Sequence, residues 1–378
     1  MDESELTSLL DAFGDLPDPR SERNQDHPLM SILLIALCAV ISGADNWVHI
    51  EEYGKSKQSW LETMFELPHG IPSHDTFGRV FRFMNPQAFQ ERFLKWVENW
   101  RGSGLSGVVA LDGKQMRGAR DVPLEKAGLY MVSAWAVEQG IVLGQRKVAD
   151  KSNEITALPE LLDVLDIAGC IVTIDAMGCQ TEIATKIVQQ EADYMLAVKG
   201  NQGTLAEDIA ELFTGFEQDR WHQVNYDYHK TVNKDHARLE IRHCWVVSNP
   251  EYLTYLRRFA DWPHLHSLVK IVSQRQLNGK TTTATRYFIS SLLPTAQRAL
   301  AVCRDHWQIE NGLHWILDVT FGQDYNRVHK DHAPENLAVL QHIALNLVKQ
   351  EKSTRSSVKT KRLRAGWDNA YLWKILSA

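Results

Sequence analysis

The sequence predicts an α/β protein in which an all-helical N-terminal region precedes a core of strands and helices with a β-rich insertion. Three observations predict this class. Residues 1–100 carry apolar side chains at helical spacing, residues 108–198 alternate short apolar runs with helical patterns, and residues 220–292 alternate apolar and polar side chains as strands do. A length of 378 residues is enough for two to three domains.

The N-terminal region is predicted to contain four helices. The apolar run from Leu29 to Ser42 is too short to cross a bilayer and predicts a buried helix. The segment from Ile71 to Thr76 offers an N-terminal cap for a helix that ends near Phe83. The other two helices are predicted at residues 47–65 and 86–100, followed by a glycine- and serine-rich linker at residues 101–107.

The region after the linker begins with three predicted strands and then alternates helices with strands. Strands are predicted at residues 108–112, about 129–137, about 141–148, 170–175 and 194–198. Helices are predicted at about 155–166, at 181–191, at 295–317 and at 334–350. This alternation favours an α/β core with antiparallel hairpins at its start over residues 108–350, with a β-rich insertion at about 220–292 and a basic segment at 351–378.

Composition excludes some functions and leaves others open. A hydrophobic content of 44% and a charged content of 23% are typical of a soluble globular protein. The formal net charge of −6 counts mildly against a nucleic-acid binder, although local patches matter more than the sum. The five scattered cysteines predict reduced thiols in a cytoplasmic protein, and the acidic first residues predict no signal peptide.

Three carboxylates are the strongest candidates for chemistry. Asp112 ends the apolar run of residues 108–111, Asp175 ends the run of residues 171–174, and Glu310 lies in a long helical pattern. Hard divalent cations prefer oxygen ligands, and a two-metal phosphoryl-transfer site needs such ligands on rigid elements that converge. The spacing therefore predicts a metal site for phosphoryl transfer.

Each carboxylate also has a structural explanation. Asp175 could simply cap the helix that follows it, and Glu310, which interrupts a largely apolar helical stripe, could form a salt bridge with Arg304 or Arg327. Zinc is disfavoured at Glu310, because His306 and His314 are eight residues, roughly 12 Å, apart along a helix and one ion cannot bind both.

Several spaced motifs resemble those of DDE transposases of bacterial insertion sequences, closest to the ISAs-type group that includes the H-repeat-associated proteins. The matching segments occur in the family's order, at residues 110–114, 173–180, 198–202 and 306–311, with further likeness at residues 29–52, 151–157 and 333–338. The resemblance implies a ribonuclease-H-like core with a β insertion before the glutamate. It also implies Mg²⁺ or Mn²⁺, as two ions, bound by Asp112, Asp175 and Glu310.

The implied function is cleavage of DNA at insertion-sequence ends followed by strand transfer into target DNA. Double-stranded DNA is then the partner, with a homodimer in a synaptic complex left open, no membrane, and a location in the bacterial cytoplasm at the nucleoid. The expected DNA-contacting residues lie beside the carboxylates, in the insertion and in the last helix: Lys114, Arg117, Lys199, Asn201, Arg238, Arg242, Arg304 and His306. Ordinary solvated charge is the alternative for these cations.

The sequence departs from the family near the glutamate. The family often has a tyrosine and an arginine before it and a lysine after it, whereas Cys303, His306 and Leu317 stand at these spacings. Arg304 and a protonatable His306 are expected to supply the positive charge instead.

The run from Lys349 to Arg364 carries seven basic residues against one acid and predicts either a phosphate-binding tail or a solvated one. Two other functions remain open for the whole chain. They are a structure-specific nuclease without strand transfer, and an inactive DNA-binding remnant of a transposase.

Overall fold

A computed structural model describes residues 4–101, 104–119, 128–149, 153–235 and 238–377. Residues 102–103 of the predicted linker and residues 151–152 of the 151–157 motif lie outside the described ranges. Within these ranges, nine strands form a single sheet and helices pack against it. No helix in this part of the chain has the length and apolar character needed to span a membrane.

The N-terminal region is helical, as predicted. The second helix, α2, is almost entirely buried, which explains its continuous apolar sequence. The Asn46 and Ser73 side chains cap the next two helices by accepting hydrogen bonds from the backbone N–H groups of His49 and Thr76. The helices of this region are α1 Ser4–Phe13, α2 Leu29–Ile41, α3 Trp47–Leu61, α4 His74–Phe83 and α5 Pro86–Arg101.

The first five strands form one half of the sheet in the order β3-β2-β1-β4-β5, in which β1, β4 and β5 are parallel and β2 and β3 are antiparallel to their neighbours. Their bounds are β1 Gly107–Met116, β2 Leu129–Ala136, β3 Ile141–Lys147, β4 Cys170–Ile174 and β5 Asp193–Val198. The predicted end of β1 at residue 112 is wrong. Pairing with β4 stops at Leu111, but antiparallel pairing with β2 continues to Met116.

The β-rich insertion continues the same sheet. Its last strand pairs antiparallel with β5, so the sheet order continues as β5-β9-β8-β7-β6. The far ends of these strands are exposed and polar, whereas the ends nearest β5 are buried. The insertion strands are β6 Tyr226–Asp235, β7 Arg238–Val247, β8 Ser267–Leu277 and β9 Lys280–Ser290.

The remaining helices pack around the sheet, and two of them differ from the prediction. The pattern at residues 295–317 is not one helix but an α-helix, the π-helix Glu310–His314 and a short α-helix. The helix Gly203–Gln218 follows the 198–202 motif and was not predicted. The bounds are α6 Glu154–Leu162, α7 Thr181–Gln189, α8 Gly203–Gln218, α9 Pro250–Leu253, α10 Ala296–His306, α11 Trp315–Val319, α12 Ala333–Gln350, α13 Val358–Trp367 and α14 Asn369–Leu376.

Helix α12 joins the N-terminal helices to the sheet. It packs against α2, α4 and α5 on one side and against β3 on the other. The fully buried Asn336 amide donates to the carbonyl oxygens of Phe81 and Met84, each at 2.9 Å. The buried Asn346 amide binds both the N–H and the carbonyl of Val142, at 2.8 and 2.9 Å. Because buried amides are costly to leave unpaired, these bonds fix the two regions in one arrangement.

The basic C-terminal run is folded, so the prediction of a tail is wrong. Arg362 is buried, donates to the carbonyl oxygens of Val40 and Thr320, and lies 4.0 Å from the centre of the Phe321 ring. Lys361 is also buried and donates to carbonyl oxygens. These cations complete the packing of α13 on the core, and their charge is not directed at a partner.

Candidate functional site

Parallel pairing of β1 and β4 brings the two aspartates together. Leu111 and Ile174 are register partners, so the residues that follow them, Asp112 and Asp175, occupy neighbouring strand positions. Adjacent strands lie about 4.8 Å apart, which is close enough for two carboxylates to share a ligand. Both residues line one cavity of about 220 Å³ at this edge of the pairing.

Asp175 has the capping role that its position suggests, and it lines the cavity as well. One oxygen of its side chain accepts a hydrogen bond from the N–H of Met177 at 2.9 Å, which caps the short turn Ala176–Gly178. The side-chain amide of Asn201, which lies just after β5, donates to the carbonyl of Ala176 at 2.6 Å and so stabilises the same turn. The Asp175 side chain therefore has a fixed orientation before any ligand binds.

Glu310 lines the cavity from the helical segment that follows α10. Helix α10 packs against β1 and β4, and the chain changes to the π-helix at Glu310 itself. A π-turn rotates the following side chains relative to an α-helix and is often found at functional sites. Although Glu310 interrupts a largely apolar helical stripe, its side chain is 51% exposed. The alternative of a salt bridge to Arg304 or Arg327 is not observed among the described residues.

His314 completes a compact group with two of the three acids. Its Nδ1 atom lies 3.4 Å from an oxygen of Asp112 and 3.7 Å from an oxygen of Glu310. Potential ligand atoms of these three residues lie within 4.8 Å of one another. The imidazole is buried, so the π-helix delivers a rigid nitrogen to the acids. Sequence reasoning considered His314 only with His306, which instead bonds the Thr173 hydroxyl at 3.1 Å.

The electrostatics of the site favour a cation. Burial raises the pKa of Asp112 to about 8, and the nearby negative charges of Glu310, Glu154 and Asp175 contribute to this shift. The pKa of Glu310 is lowered, chiefly by its hydrogen bond with His314. Without a cation, the pair therefore keeps a proton on Asp112 and a charge on Glu310, because two close carboxylates resist being ionised together.

Glu154 is an acid near the site that sequence reasoning did not place there. Its carboxylate accepts a hydrogen bond from the Tyr130 hydroxyl and approaches the backbone beside Asp112 so closely that a Cβ on Gly113 would collide with it. Burial is the largest cause of the raised pKa of Glu154. The only signal in the sequence was its position in the 151–157 motif.

Among the predicted DNA-contacting residues, Lys199 and His306 line the cavity with the acids, whereas Lys114 does not. The Lys114 ammonium group donates to Asp318 and Gln323, and its side chain is only 11% exposed, which argues against the predicted phosphate contact. Asn201 holds the backbone turn. Arg117 and Arg304 are exposed, one directly after β1 and the other in the last turn of α10.

The two predicted arginines of the insertion share one acid. Arg238 lies 3.2 Å from Glu240, and Arg242 donates to the same side chain. Neither arginine lines the cavity, although Arg242 is near enough to the lining residue Cys303 to act on it electrostatically. Half of their positive charge is thus already neutralised.

Two cavity residues were missed by sequence reasoning. Trp307 is 48% exposed and lines the cavity, and the Arg286 guanidinium lies 5.2 Å from the centre of its ring. Trp307 lies on the helical stripe three residues before Glu310, which was a usable signal. Arg286 lies in the middle of β9, and only the pairing of β9 with β5 brings it to the acids.

Comparisons with known proteins identify the family to which the chain is related. The model of the transposase DDE domain matches residues 103–347, and the model of the DDE-associated domain matches residues 10–97. The chain is 37% identical over 377 residues to a protein of Escherichia coli strain K12 named "H repeat-associated putative transposase YhhI", which covers 99% of this chain and 98% of that protein.

Other relatives point the same way. The chain is 38% identical over 378 residues to "Putative transposase YncI" of Escherichia coli O157:H7, with 99% and 95% of the two chains covered. A further relative from strain K12, "Inactive transposase YbfQ", is 41% identical over 76 residues, which are 20% of this chain and 90% of that one. A solved piggyBac transposase synaptic complex with hairpin DNA is 12% identical, covers 100% of this chain and 80% of its own, and has a TM-score of 0.42, too low to define the fold.

Proposed function

The chain belongs to the transposase DDE family, and on that premise we propose that it cleaves DNA at the ends of an insertion sequence and transfers the cut strands to target DNA. The single observation that carries this proposal is the meeting of Asp112, Asp175 and Glu310 at one cavity. The three residues are 63 and 135 positions apart in sequence (175 − 112 and 310 − 175). Their convergence is what a phosphoryl-transfer site requires.

The proposed catalytic core is ribonuclease-H-like and covers residues 108–350. It is supported by the strand order β3-β2-β1-β4-β5, with antiparallel strands first and parallel strands after them. Residues 1–100 form the proposed associated helical domain, and residues 220–292 form the β insertion. The segment 351–378 is proposed to complete the core by packing on α2 and α12.

The donor set fits a divalent cation. Asp112, Asp175 and Glu310 offer hard oxygen ligands, and His314 adds a buried nitrogen within 4.8 Å of two of them. The raised pKa of Asp112 reflects burial first and the neighbouring negative charges second, and a bound cation would offset both. We propose that the three carboxylates hold Mg²⁺ or Mn²⁺, which would supply charge stabilisation to the attacking and leaving oxygens of the phosphoryl group.

The protein's own side chains would position the DNA strand at these acids. Lys199 and Arg286 line the cavity and place positive charge where the scissile phosphate would lie. The exposed face of Trp307, beside Arg286, offers a stacking surface for a base of an unpaired strand. His306 is fixed by its bond to Thr173 and shapes the wall of the cavity.

The proposal is tested by nicking and joining assays with DNA that carries the inverted repeats flanking the gene. The wild type should nick the repeat ends and join them to a supercoiled plasmid with Mg²⁺, and it should do neither in EDTA. Asp112→Asn should lose both activities. Asp261→Asn, which alters an exposed carboxylate paired with Arg258, is the matched control and should retain both.

Two outcomes would contradict the proposal. Nicking without joining by the wild type would favour a structure-specific nuclease. Binding of the repeats by both the wild type and Asp112→Asn, with no nicking by either, would favour an inactive remnant. The presence of all three acids at one cavity supports the active enzyme over the remnant.

A further inference from the structure

A second open cavity lies between the N-terminal helices and the catalytic core. We call it the α4 groove. It has a volume of about 480 Å³ and is bordered by α4 on one side and by the loop of residues 326–332 on the other. It does not share a residue with the cavity that contains the acids. No role for this groove follows from the site already described.

The α4 groove is strongly basic in a chain whose formal net charge is −6. Four cations line it against one carboxylate, that of Asp75. Arg82 is paired with Asp331, just outside the lining. The other three cations are exposed and form no ion pair with any described residue: Arg79, Arg327 and Lys330. A concentration of unpaired positive charge in an acidic protein indicates an anionic partner.

The walls of the groove are held in place by bonds to the core. Helix α4 buries Phe77, Val80 and Phe81, and the buried amide of Asn336 ties its C-terminal end to α12. The Asn326 amide donates to the carbonyl of Asp45 at 2.6 Å and holds the start of the opposite loop. The cations therefore stand on fixed supports, and a ligand need not pay to order the backbone that carries them.

The groove is connected to the catalytic strand. Gln323, just before the loop, bonds the Lys114 ammonium group, and the N–H of Arg117 donates to Asp324 at 3.4 Å. Asp112 and Met116 are four residues apart on β1, which is about 13 Å. The loop that borders the groove thus contacts the far end of β1, and one turn of duplex, about 34 Å long, is longer than the roughly 13 Å from Asp112 to Met116.

We propose that the α4 groove binds the phosphate backbone of double-stranded DNA and holds the duplex beside the catalytic acids. An open groove with arginine and lysine on both walls suits a run of phosphates better than a small ligand. Exposed arginine and lysine side chains contact phosphate groups, and phosphate groups carry no sequence information. We therefore expect the binding to be independent of base sequence. This inference rests on the proposed function, since it supplies the duplex on which that function acts.

The test measures the salt dependence of duplex binding by fluorescence anisotropy, in EDTA, between 0.05 and 0.2 M salt. The variant Arg79→Ala with Arg327→Ala removes two unpaired cations from opposite walls. The matched control, Arg258→Ala with Arg298→Ala, removes two exposed arginines elsewhere. Each protein is tested with a duplex of its own terminal repeat and with a scrambled duplex, and thermal melting verifies that each is folded.

The logarithm of the binding constant falls linearly with the logarithm of the salt concentration. This dependence should be shallower by about 1.8 in the groove variant, since each lost phosphate contact removes about 0.9 from the slope. The groove variant should lose affinity equally for the two duplexes. Between 0.05 and 0.2 M salt, the ratio of its binding constant to that of the wild type should change by about tenfold. Asp75→Asn, which removes the one carboxylate of the lining, should instead tighten binding of both duplexes.

An unchanged slope in the groove variant, or an equal change in the control, would overturn the groove while leaving the proposed function intact. A loss confined to the terminal repeat would overturn the sequence-independent contact. A wild type that binds neither duplex would overturn the proposed function itself, and the groove with it.

Discussion

Replacement of Asp112 by asparagine should make the metal-free protein more stable at alkaline pH while it abolishes cleavage. The Asp112 side chain is 15% exposed, and burial together with three neighbouring carboxylates raises its pKa to about 8. In the unfolded chain the same group titrates near its model value of 3.8. The wild type therefore holds a proton in the folded state that the unfolded chain releases.

The sign and size of the effect follow from this difference. Between about pH 4 and pH 8 the folded state binds more protons than the unfolded chain, so the free energy of unfolding falls as the pH rises. A shift from 3.8 to about 8, at about 1.4 kcal/mol per pKa unit, gives on the order of 6 kcal/mol as an upper value. Water that enters the cavity would reduce this free-energy difference. Asparagine cannot ionise, so the Asp112→Asn variant should not lose unfolding free energy in this way as the pH rises.

The assay is chemical denaturation in EDTA at pH 5, 6.5 and 8. The advantage of Asp112→Asn over the wild type should grow with pH, and Mg²⁺ at pH 8 should stabilise only the wild type. Asp261→Asn serves again as the control and should follow the wild type. An identical pH dependence for wild type and Asp112→Asn would refute the idea that burial and the neighbouring carboxylates hold a proton on Asp112 in the folded state.

Three further predictions concern the other acids and the C-terminal helices. Asp175→Asn and Glu310→Gln should each abolish nicking but leave metal-free DNA binding within about tenfold, because these acids position cations and not DNA; a large loss of binding in EDTA would contradict this. Glu154→Gln should raise the Mg²⁺ concentration for half-maximal nicking by about 10-fold or more, as the loss of a residue next to the ligands does in other metal sites. An unchanged Mg²⁺ titration would show that Glu154 has only a packing role. Arg362→Ala should lower the free energy of unfolding by about 2–4 kcal/mol, because two buried carbonyl groups lose their donor, whereas Lys359→Ala on the exposed side of the same helix should change denaturant midpoints little.

Much of the fold was predictable because it depends on local pattern. The buried helix α2 lacks charged residues, and α12 begins and ends within one residue of its predicted bounds. The strands before residue 200 were also found, because short apolar runs bounded by polar turns are a local signal. The end of β1 was misplaced, since its continuation to Met116 depends on pairing with β2 and not on its own sequence.

The candidate site was predictable in part for the same reason. A carboxylate at the end of an apolar strand is unusual in itself, so Asp112 and Asp175 could be identified without a structure. Glu310 was identified by its place in an apolar helical stripe, but its exposure and its position at the cavity became evident only in the folded structure. His314 and Glu154 carried no comparable signal, because their proximity to Asp112 arises from elements far apart in sequence.

The sequence by itself determined most of the helices and strands, the three candidate acids and the family resemblance. The tertiary structure alone decided which charges are available to a partner. It paired Lys114 with Asp318, buried Arg362 in the core, and left Arg79 and Arg327 unpaired across the α4 groove. Hydrophobic periodicity is a property of neighbouring residues, whereas the burial and pairing of a charge depend on which distant groups the folded chain brings within a few ångströms.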